Sequence, residues 1–345
     1  MRCALLVAFA LSLPAQESRF DVRSRLVFVP ATVTDAKGRP VDGLQTSDFL
    51  VLDNGRAQKA AVDTIDTGDA PIALVIAVQS SGISSAVLEK VQKIEGMIPP
   101  LITGERGCAA LISFSERVTW LQECTADPDA LQRAFDQLRP GEPKRACMLD
   151  AVQAAVAYLS ARPNGRRVLL LISESRDRGS ETDLDVATIA AQSAGVTVYA
   201  ATYSAFKTAF TSKSPVSAPT PRKDRVENSP IPTPNGNPPS RTNPSIPPPE
   251  QRVDILAGIG ELARLHKTDT AKALTVATGG TTLPFTRQKG LEDAIEKLGA
   301  ELHTGYLLSF VPDSSTAGYH RLEVRVTRSG EEFHIRARPG YWMGQ

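Results

Sequence analysis

The stretch Pro71-Ile-Ala-Leu-Val-Ile-Ala-Val-Gln-Ser-Ser-Gly-Ile-Ser84 decides the fold of this chain. Its apolar residues, Ile72 to Val78, run without polar alternation, which predicts a strand covered on both faces, as in the middle of a parallel sheet. In open parallel sheets, ligands bind beyond the carboxyl ends of the strands. Gln79, Ser80 and Ser81 follow the strand directly, so they stand where a binding site is expected.

The sequence around this strand alternates between strand and helix patterns from residue 70 to residue 204, and a helical pattern resumes over 251–303. Cys108–Phe114 and Val118–Gln122 predict a hairpin, and Arg167–Ser175 predicts a second strand that is buried on both faces. Apolar residues at helical spacing follow Ser84 and recur in Pro128–Leu138, Met148–Ala161, Asp183–Ala194, Val253–Thr278 and Gly290–His303. Strands that alternate with helices predict an α/β fold with a doubly wound, mostly parallel sheet.

Two segments of β character bracket this α/β region. Residues 19–68 carry strand patterns and the hairpin dipeptide Asn54-Gly55, and residues 304–342 alternate between apolar and polar positions. Each segment alone is too small to bury a stable core. We therefore expect the two segments to pair into one small β-sandwich, into which the α/β domain is inserted.

A proline-rich stretch, residues 205–250, interrupts the α/β pattern. Twelve of the 25 prolines of the chain fall between Pro215 and Pro249, with Ser, Thr and Asn between them. This composition does not bury a core, so the stretch is predicted to be a disordered insertion. A proline-rich ligand for a peptide-binding module is the alternative.

The N-terminus, residues 1–15, has one Arg, a short apolar stretch and Ala15 before Gln16, which is the pattern of a secretory signal peptide. We therefore expect an exported protein that is periplasmic or extracellular. The formal net charge is only +1 and no basic patch stands out, which argues against nucleic acid as a partner. No later segment is apolar and long enough for a stable membrane span.

Three of the four cysteines, Cys108, Cys124 and Cys147, remain after removal of residues 1–15. An odd number in an exported protein allows one disulfide and one free thiol. Cys108 could pair with Cys124 across the predicted hairpin, and Cys124 could instead pair with Cys147. No Cys-x-x-Cys spacing occurs and no His is near in sequence, which argues against a metal site at these cysteines.

The order of these patterns is a buried strand, a Ser-Gly turn, a helix, a hairpin with Ser113-Phe-Ser115 and a later strand that ends at Ile172-Ser-Glu-Ser175. In this order the chain resembles the von Willebrand factor type A (VWA) domain. It is most similar to the secreted bacterial VWFA-related family of acidobacterial type, whose motifs match Thr32-Val-Thr-Asp35, Gly43-Leu44, Thr278-Gly-Gly280 and Arg338 to Tyr341. The resemblance implies a Rossmann-like α/β fold and a protein-binding role.

The resemblance also implies where a metal site would lie. Intact VWA sites hold Mg²⁺ with Asp-x-Ser-x-Ser in one loop, a Thr in a second and an Asp in a third, which suits a hard cation that takes about six oxygens. In this chain Gln79 stands at the first Asp, Ser81 keeps the first hydroxyl, and Ile83 replaces the second. Ala146 stands at the Thr and Glu174 at the third-loop Asp. These departures predict a degenerate site without a cofactor.

The charges around the site also argue against a bound metal ion. Lys144 and Arg145 add positive charge near the rim, which disfavours a dication. If Mg²⁺ were bound, its remaining ligands would be Gln79, Ser81 and Glu174, and Asp177 would be close enough to contribute if the alignment shifted by a few residues.

The predicted binding residues are therefore Gln79, Ser80, Ser81, Arg145 and Glu174, with Arg176 beside them. As a polar surface without a metal, they would contact a protein partner that the sequence does not identify. The alternative interpretation is that they only cap strand ends and helix N-termini, a role that Ser81, Ser84 or Ser85 would fill well.

The function predicted from the sequence is that of an exported protein–protein interaction or adhesion-type module, not an enzyme. A structural part of an envelope assembly, acting through the β-sandwich, is one alternative. A serine hydrolase is another, but Gln79-Ser-Ser-Gly-Ile83 lacks the Gly-x-Ser-x-Gly frame. All four histidines follow residue 250, and His320 and His334 fall on predicted β-sandwich strands, as surface or cross-strand residues far from the serines.

Overall fold

The computed structural model describes residues 26–63, 71–81, 85–141, 145–162, 165–203, 269–314, 316–328 and 332–343. The strands are β1 (Val27–Asp35), β2 (Phe49–Asp53), β3 (Arg56–Gln58), β4 (Ala60–Asp63), β5 (Ile72–Gln79), β6 (Cys108–Phe114), β7 (Val118–Thr125), β8 (Arg166–Ser173), β9 (Val196–Thr202), β10 (Thr282–Pro284), β11 (Tyr306–Phe310), β12 (Gly318–Val326), β13 (Phe333–Ala337) and β14 (Gly340–Met343). The α-helices are α1 (Ser85–Val91), α2 (Pro128–Asp136), α3 (Met148–Ser160), α4 (Leu184–Ser193), α5 (Thr270–Thr278) and α6 (Gln288–Thr304). The predicted signal peptide, the proline-rich insertion and the helical pattern over 253–268 lie outside the described residues.

The parallel sheet is built around β5. Its six strands lie in the order β10-β9-β8-β5-β6-β7, and every neighbouring pair is parallel except the β6–β7 hairpin. All eight residues of β5 are buried. The predictions of a strand covered on both faces and of the hairpin are therefore confirmed.

The helices cover both faces of this sheet. Ile72, Leu74, Ile76 and Val78 of β5 join one core, to which α1, α2 and α6 contribute. The intervening Ala73, Val75 and Ala77 join a second core, with α3, α4 and α5. This arrangement confirms the predicted doubly wound α/β class. None of the helices in the described part of the chain is long and apolar enough to cross a bilayer.

The antiparallel strands form two further sheets, in the orders β13-β1-β11-β4 and β14-β12-β2-β3. Strands from before the α/β region pair with strands from after it: β1 with β11 and β13, β4 with β11, and β2 with β12. Side chains from both sheets share one core, which includes Val29, Val51, Leu308 and Leu322. The predicted β-sandwich from the two ends of the chain is therefore present.

The Asn54-Gly55 turn between β2 and β3 shows why that dipeptide is a hairpin signal. Both residues have positive φ, at 48° and 79°, which is the backbone of a tight hairpin turn. The register that it sets, Asp53 opposite Arg56, leaves Asp53 buried in the sandwich.

The disulfide joins Cys108 and Cys124, at the outer ends of the β6–β7 hairpin, and Cys147 is a buried free thiol. Of the two pairings that the sequence left open, the structure selects the one across the hairpin. The antiparallel register explains this choice, because it brings the start of β6 opposite the end of β7.

Removal of this disulfide is expected to lower the free energy of unfolding by about 3 kcal/mol, because the crosslink closes a loop between cysteines 16 residues apart. Urea denaturation of the Cys108→Ala/Cys124→Ala variant measures the loss. Reductant should bring the wild type to the midpoint of the double variant and leave the double variant unchanged. Equal midpoints for the oxidised wild type and the double variant would contradict the prediction.

Candidate functional site

The predicted site lies at the carboxyl edge of the parallel sheet. β5 and β8 are neighbouring strands, so Gln79 at the end of β5 lies beside Glu174, which follows β8. We use the term tip for the residues at this edge that contact one another: Gln79, Ser80, Ser81, Ala146, Glu174 and Arg178. The structure thus brings the strand-end residues of the sequence prediction together.

Gln79 ties the two strand ends to each other. Its Nε2 donates to Ser81 Oγ at 2.8 Å and to Glu174 Oε2 at 3.3 Å. Its Oε1 accepts from the backbone N–H of Glu174 at 3.0 Å. Gln79 and Glu174 are only 1% and 6% exposed, so the amide is a buried connector and not a free surface group.

Arg178 completes the network around Glu174, and sequence reasoning missed it. Its Nη2 lies 3.4 Å from Glu174 Oε1, the carboxylate oxygen that Gln79 does not contact. The backbone of Arg178 is fixed by two hydrogen bonds with Ala146, at 3.0 and 3.1 Å. The available signal was the four-residue spacing from Glu174, which suits an ion pair across a turn. Both carboxylate oxygens of Glu174 are therefore engaged, one by an amide and one by a cation.

Ser80 and Ser81 are also buried and hydrogen-bonded at the ends of the strands. Ser80 donates from its backbone N–H to the carbonyl oxygen of Phe114 at 2.8 Å, and its hydroxyl reaches the same oxygen at 3.3 Å. Ser81 accepts from Gln79 and forms a parallel bridge with Gly141. Both serines are buried, at 5% and 2% exposure. Ile83 and Ser84 lie outside the described residues.

The exposed part of this region is basic. Arg145, Arg176 and Arg178 are exposed, in contrast to four buried polar residues, Gln79, Ser80, Ser81 and Glu174. The Arg145 side chain lies along the backbone of Gly179, next to Arg178. Lys144 is outside the described residues. A partner that approaches the tip therefore meets guanidinium groups before it meets Glu174.

Asp177, which the sequence analysis named as a metal ligand only if the alignment shifted, has a local structural role. Its Oδ1 accepts from the backbone N–H of Leu149 at 3.2 Å and from the hydroxyl of Ser180 at 2.5 Å. Asp150 accepts in the same way from the backbone N–H and the hydroxyl of Thr182, at 2.9 and 2.6 Å. The two carboxylates thus join the start of α3 to the loop after β8.

The donor set of the tip does not match what Mg²⁺ requires. A hard dication needs about six oxygens in octahedral geometry, with carboxylates to balance its charge. Glu174 is the one carboxylate in the tip, and it is already paired with Arg178. Within the described residues, no group of three or more His, Cys, Asp or Glu side chains is arranged to hold a metal ion.

Cys147 lies beside this region at the N-cap of α3 and is 1% exposed. Burial, reinforced by the negative charge of Asp150, raises the pKa of its thiol to about 11. The thiol is therefore protonated at neutral pH. A protonated, buried cysteine is a packing residue and a poor nucleophile.

The histidines are engaged away from the tip. His320, predicted on a β-sandwich strand, lies opposite Tyr341 on β14 and is buried, with Nδ1 2.9 Å from Asp53 Oδ1. Nε2 of His303 lies 3.1 Å from the carbonyl oxygen of Leu101, and His334 is exposed on β13. His266 is outside the described residues.

Solved structures with a similar fold were found, whereas no family model and no curated protein matches the chain. The vWF domain of the type V pili tip protein Mfa5 from Porphyromonas gingivalis is 16% identical, with 31% of this chain and 39% of that chain covered and a TM-score of 0.28. The chain thus spans well under two thirds of that structure. An aerotolerance-related membrane protein from Bacteroides fragilis NCTC 9343 is 13% identical, with 67% and 99% covered and a TM-score of 0.41.

Proximal thread matrix protein 1 from the mussel byssus, with a zinc occupied MIDAS motif, is 8% identical over 72% of this chain and 49% of that chain, with a TM-score of 0.43. These similarities concern the α/β fold alone, and at these identities and TM-scores no function is transferred from them.

Proposed function

We propose that this chain is an exported protein-interaction module of VWA type, which binds a partner without a metal ion through its tip and the exposed Arg145 and Arg176 beside it. The proposal rests on one observation: both carboxylate oxygens of Glu174 already have partners within the chain. One accepts from the Gln79 amide, and the other faces the Arg178 guanidinium. In the VWA pattern a metal would be expected beside that carboxylate. Here a fixed cation of the chain itself neutralises it.

Electrostatics favours this arrangement over metal binding. A dication that approached Glu174 would meet the charge of Arg178 at the same carboxylate, and it would have to break the Gln79 hydrogen bond. Gln79 supplies a neutral oxygen where the VWA pattern has a second carboxylate, and that oxygen already accepts from the Glu174 backbone. The net charge of the tip is therefore balanced without an ion.

The chemistry of the partner follows from the exposed groups. Arg145 and Arg176 are exposed beside the tip, and guanidinium groups pair with carboxylates, often in a bidentate geometry. We propose an acidic surface of another protein as the partner. Export is supported by the N-terminal sequence pattern and by the Cys108–Cys124 disulfide, since such bonds persist in oxidising compartments.

A titration of thermal stability with Mg²⁺, Mn²⁺ and Ca²⁺, against a chelator control, tests the metal-free state. Any ligand that binds only the native state raises the melting temperature by mass action. We expect no saturable rise for the wild type at millimolar metal. A rise that is lost in Glu174→Ala would contradict the proposal.

A variant that restores the metal ligands of the VWA pattern serves as the positive control for this titration. Gln79→Asp/Ile83→Ser/Ala146→Thr/Arg178→Ala returns the donors of the VWA pattern and removes the competing cation. Its melting temperature is expected to rise with added metal. The control Arg133→Ala, which removes an arginine that is 67% exposed on α2, should show no such rise. A metal response in the wild type equal to that of the restoring variant would show that Arg178 does not replace the ion.

Partner binding is tested by crosslinking in the native envelope with excess chelator present. Arg145→Glu/Arg176→Glu should lose the crosslinked species, whereas Arg325→Glu, on the exposed face of the β-sandwich, should keep it. The opposite pattern would favour the envelope-assembly alternative. That alternative is favoured by one observation, the exposed apolar side chains Leu26, Phe28 and Val311 on or next to the sandwich strands.

A further inference from the structure

A cavity of about 690 Å³ lies at the opposite end of the parallel sheet from the tip, between the α/β domain and the β-sandwich. The first residues of β8 and β9 and the end of α4 form one side of it, and β1 and β14 form the other. This volume is in the range of cavities that bind small organic ligands. The function proposed for the tip does not involve it.

Arg338 is the polar centre of the cavity lining. It is only 5% exposed, and its Nη1 donates to the carbonyl oxygen of Gln192 at 3.1 Å. No other hydrogen bond links the guanidinium to the described residues, and its Nε is buried without a partner. The ring of Tyr341 lies 5.7 Å from the guanidinium carbon. Burial, which disfavours the charged form, lowers the pKa of Arg338 to about 10, so the group is still a cation at neutral pH.

Two further guanidinium groups, those of Arg166 and Arg167, line the same cavity, and none of the described lining residues is acidic. Glu301, near the end of α6, is paired with Arg336, and its negative charge also acts on Arg166. The lining itself therefore carries three positive side chains and no carboxylate, and Glu301 behind it only partly offsets the charge of Arg166. A buried cation without a counter-charge is costly, so this excess calls for an anion.

The partial negative charges of nearby helix C-termini offset only part of the positive charge of these arginines. The three arginines bond to carbonyl oxygens at the C-terminal ends of α3, α4 and α6, those of Arg162, Gln192, Ala194 and Leu302. Each helix C-terminus carries about half a negative charge, so three of them offset roughly half of the three positive charges. A net positive charge remains in the cavity.

Two exposed apolar side chains form part of the mouth of the cavity. Leu26 and Phe28 are 46% and 40% exposed, and both line it. A bound molecule would therefore meet hydrocarbon at the mouth and a cation inside. Water and a small inorganic anion would satisfy the cations but leave these two side chains in contact with solvent.

We propose that this cavity binds a small organic carboxylate with an apolar body, with the carboxylate on Arg338 and the body against Leu26 and Phe28. The recognised chemistry is that of a medium-chain aliphatic acid. Arg338 positions the anion, and the exposed apolar side chains of the sandwich cover the chain of the ligand. This assignment gives Leu26 and Phe28 a role other than contact with a second protein.

Calorimetric titration of the full chain, with its disulfide formed, tests the proposal with decanoate and with the neutral decanol. Decanoate should bind with one-to-one stoichiometry and about 10- to 100-fold more tightly than decanol, because one charge-assisted hydrogen bond accounts for that factor. Arg338→Met should remove the difference between the two probes. Arg133→Ala, an exposed arginine on α2, should leave it unchanged.

A second variant keeps the test valid if Arg338→Met does not fold. Ser193, at the end of α4, is exposed and lines the cavity, so Ser193→Trp narrows it without disturbing a core. It should abolish decanoate binding, whereas Arg178→Ala at the tip should leave it intact. Equal affinity for decanoate and decanol, binding unaffected by Ser193→Trp, or no binding of decanoate would each overturn the proposal.

Discussion

Replacement of Asp53 by alanine is expected to lower the free energy of unfolding by about 3–5 kcal/mol, because it breaks a buried pair and leaves His320 and the Tyr341 hydroxyl without their shared partner. In the sandwich core, Nδ1 of His320 lies 2.9 Å from Asp53 Oδ1, and Nε2 lies 2.8 Å from the carbonyl oxygen of Thr316. The buried ring of His320 is thus held between two acceptor groups, one of which is the Asp53 carboxylate. Asp53 also accepts from the hydroxyl of Tyr341 at 2.9 Å.

Urea denaturation of Asp53→Ala measures this loss, with Asp313→Ala as the matched control, since Asp313 is exposed in a loop of the same sandwich. The control is expected to change stability by less than about 0.5 kcal/mol. The double variant Asp53→Leu/His320→Leu should be less destabilised than Asp53→Ala, because it removes both polar partners together. Similar small losses for Asp53→Ala and Asp313→Ala would show that the contacts of Asp53 with His320 and Tyr341 do not stabilise the sandwich.

Replacement of Gly280 by alanine is expected to cost about 3 kcal/mol or more, since the added methyl group has no room. A Cβ atom at this position would lie 2.0 Å from the backbone carbonyl oxygen of Val198 in β9. Backbone atoms of a buried strand cannot move aside as the end of a flexible side chain can. The clash therefore has to be relieved by a shift of the segment between α5 and β10.

Gly96 provides the matched control for Gly280. It lies in the 3₁₀ turn after α1, and nothing lies within 4 Å of a Cβ added there. Gly96→Ala should therefore be neutral or slightly stabilising, because alanine loses less conformational freedom on folding. Comparison of the two denaturation midpoints tests the steric argument, and equal midpoints would refute it.

The motifs behind the family resemblance mainly build the junction between the two domains. Thr32 accepts from Arg336, Gly279 lies against the backbone of Arg338, and Gly280 lies against β9. The Arg338-to-Tyr341 motif supplies the cation of the cavity and the hydroxyl that bonds to Asp53. These motifs therefore predicted the architecture well but said little about the tip.

The position of the tip residues at the strand ends could be predicted from the sequence, but most of their contacts could not. The apolar run of β5 and the polar residues after it located Gln79, Ser80 and Ser81 at a strand end, as the structure shows. The pattern did not reveal that these residues and Glu174 are buried against one another. Arg178 was missed because its pairing depends on how the loop after β8 returns to Ala146.

The sequence by itself determined the elements: the strand buried on both faces, the β6–β7 hairpin, the Asn54-Gly55 turn and the α/β class. Such features depend on periodicity and turn chemistry between residues close in the chain. Only the tertiary structure decided which distant groups meet. Gln79 and Glu174 are 95 residues apart and Asp53 and His320 are 267 apart, so their contacts depend on strand order and register. A register shift of one residue would turn Gln79 in β5 or Asp53 in β2 to the other face of its sheet.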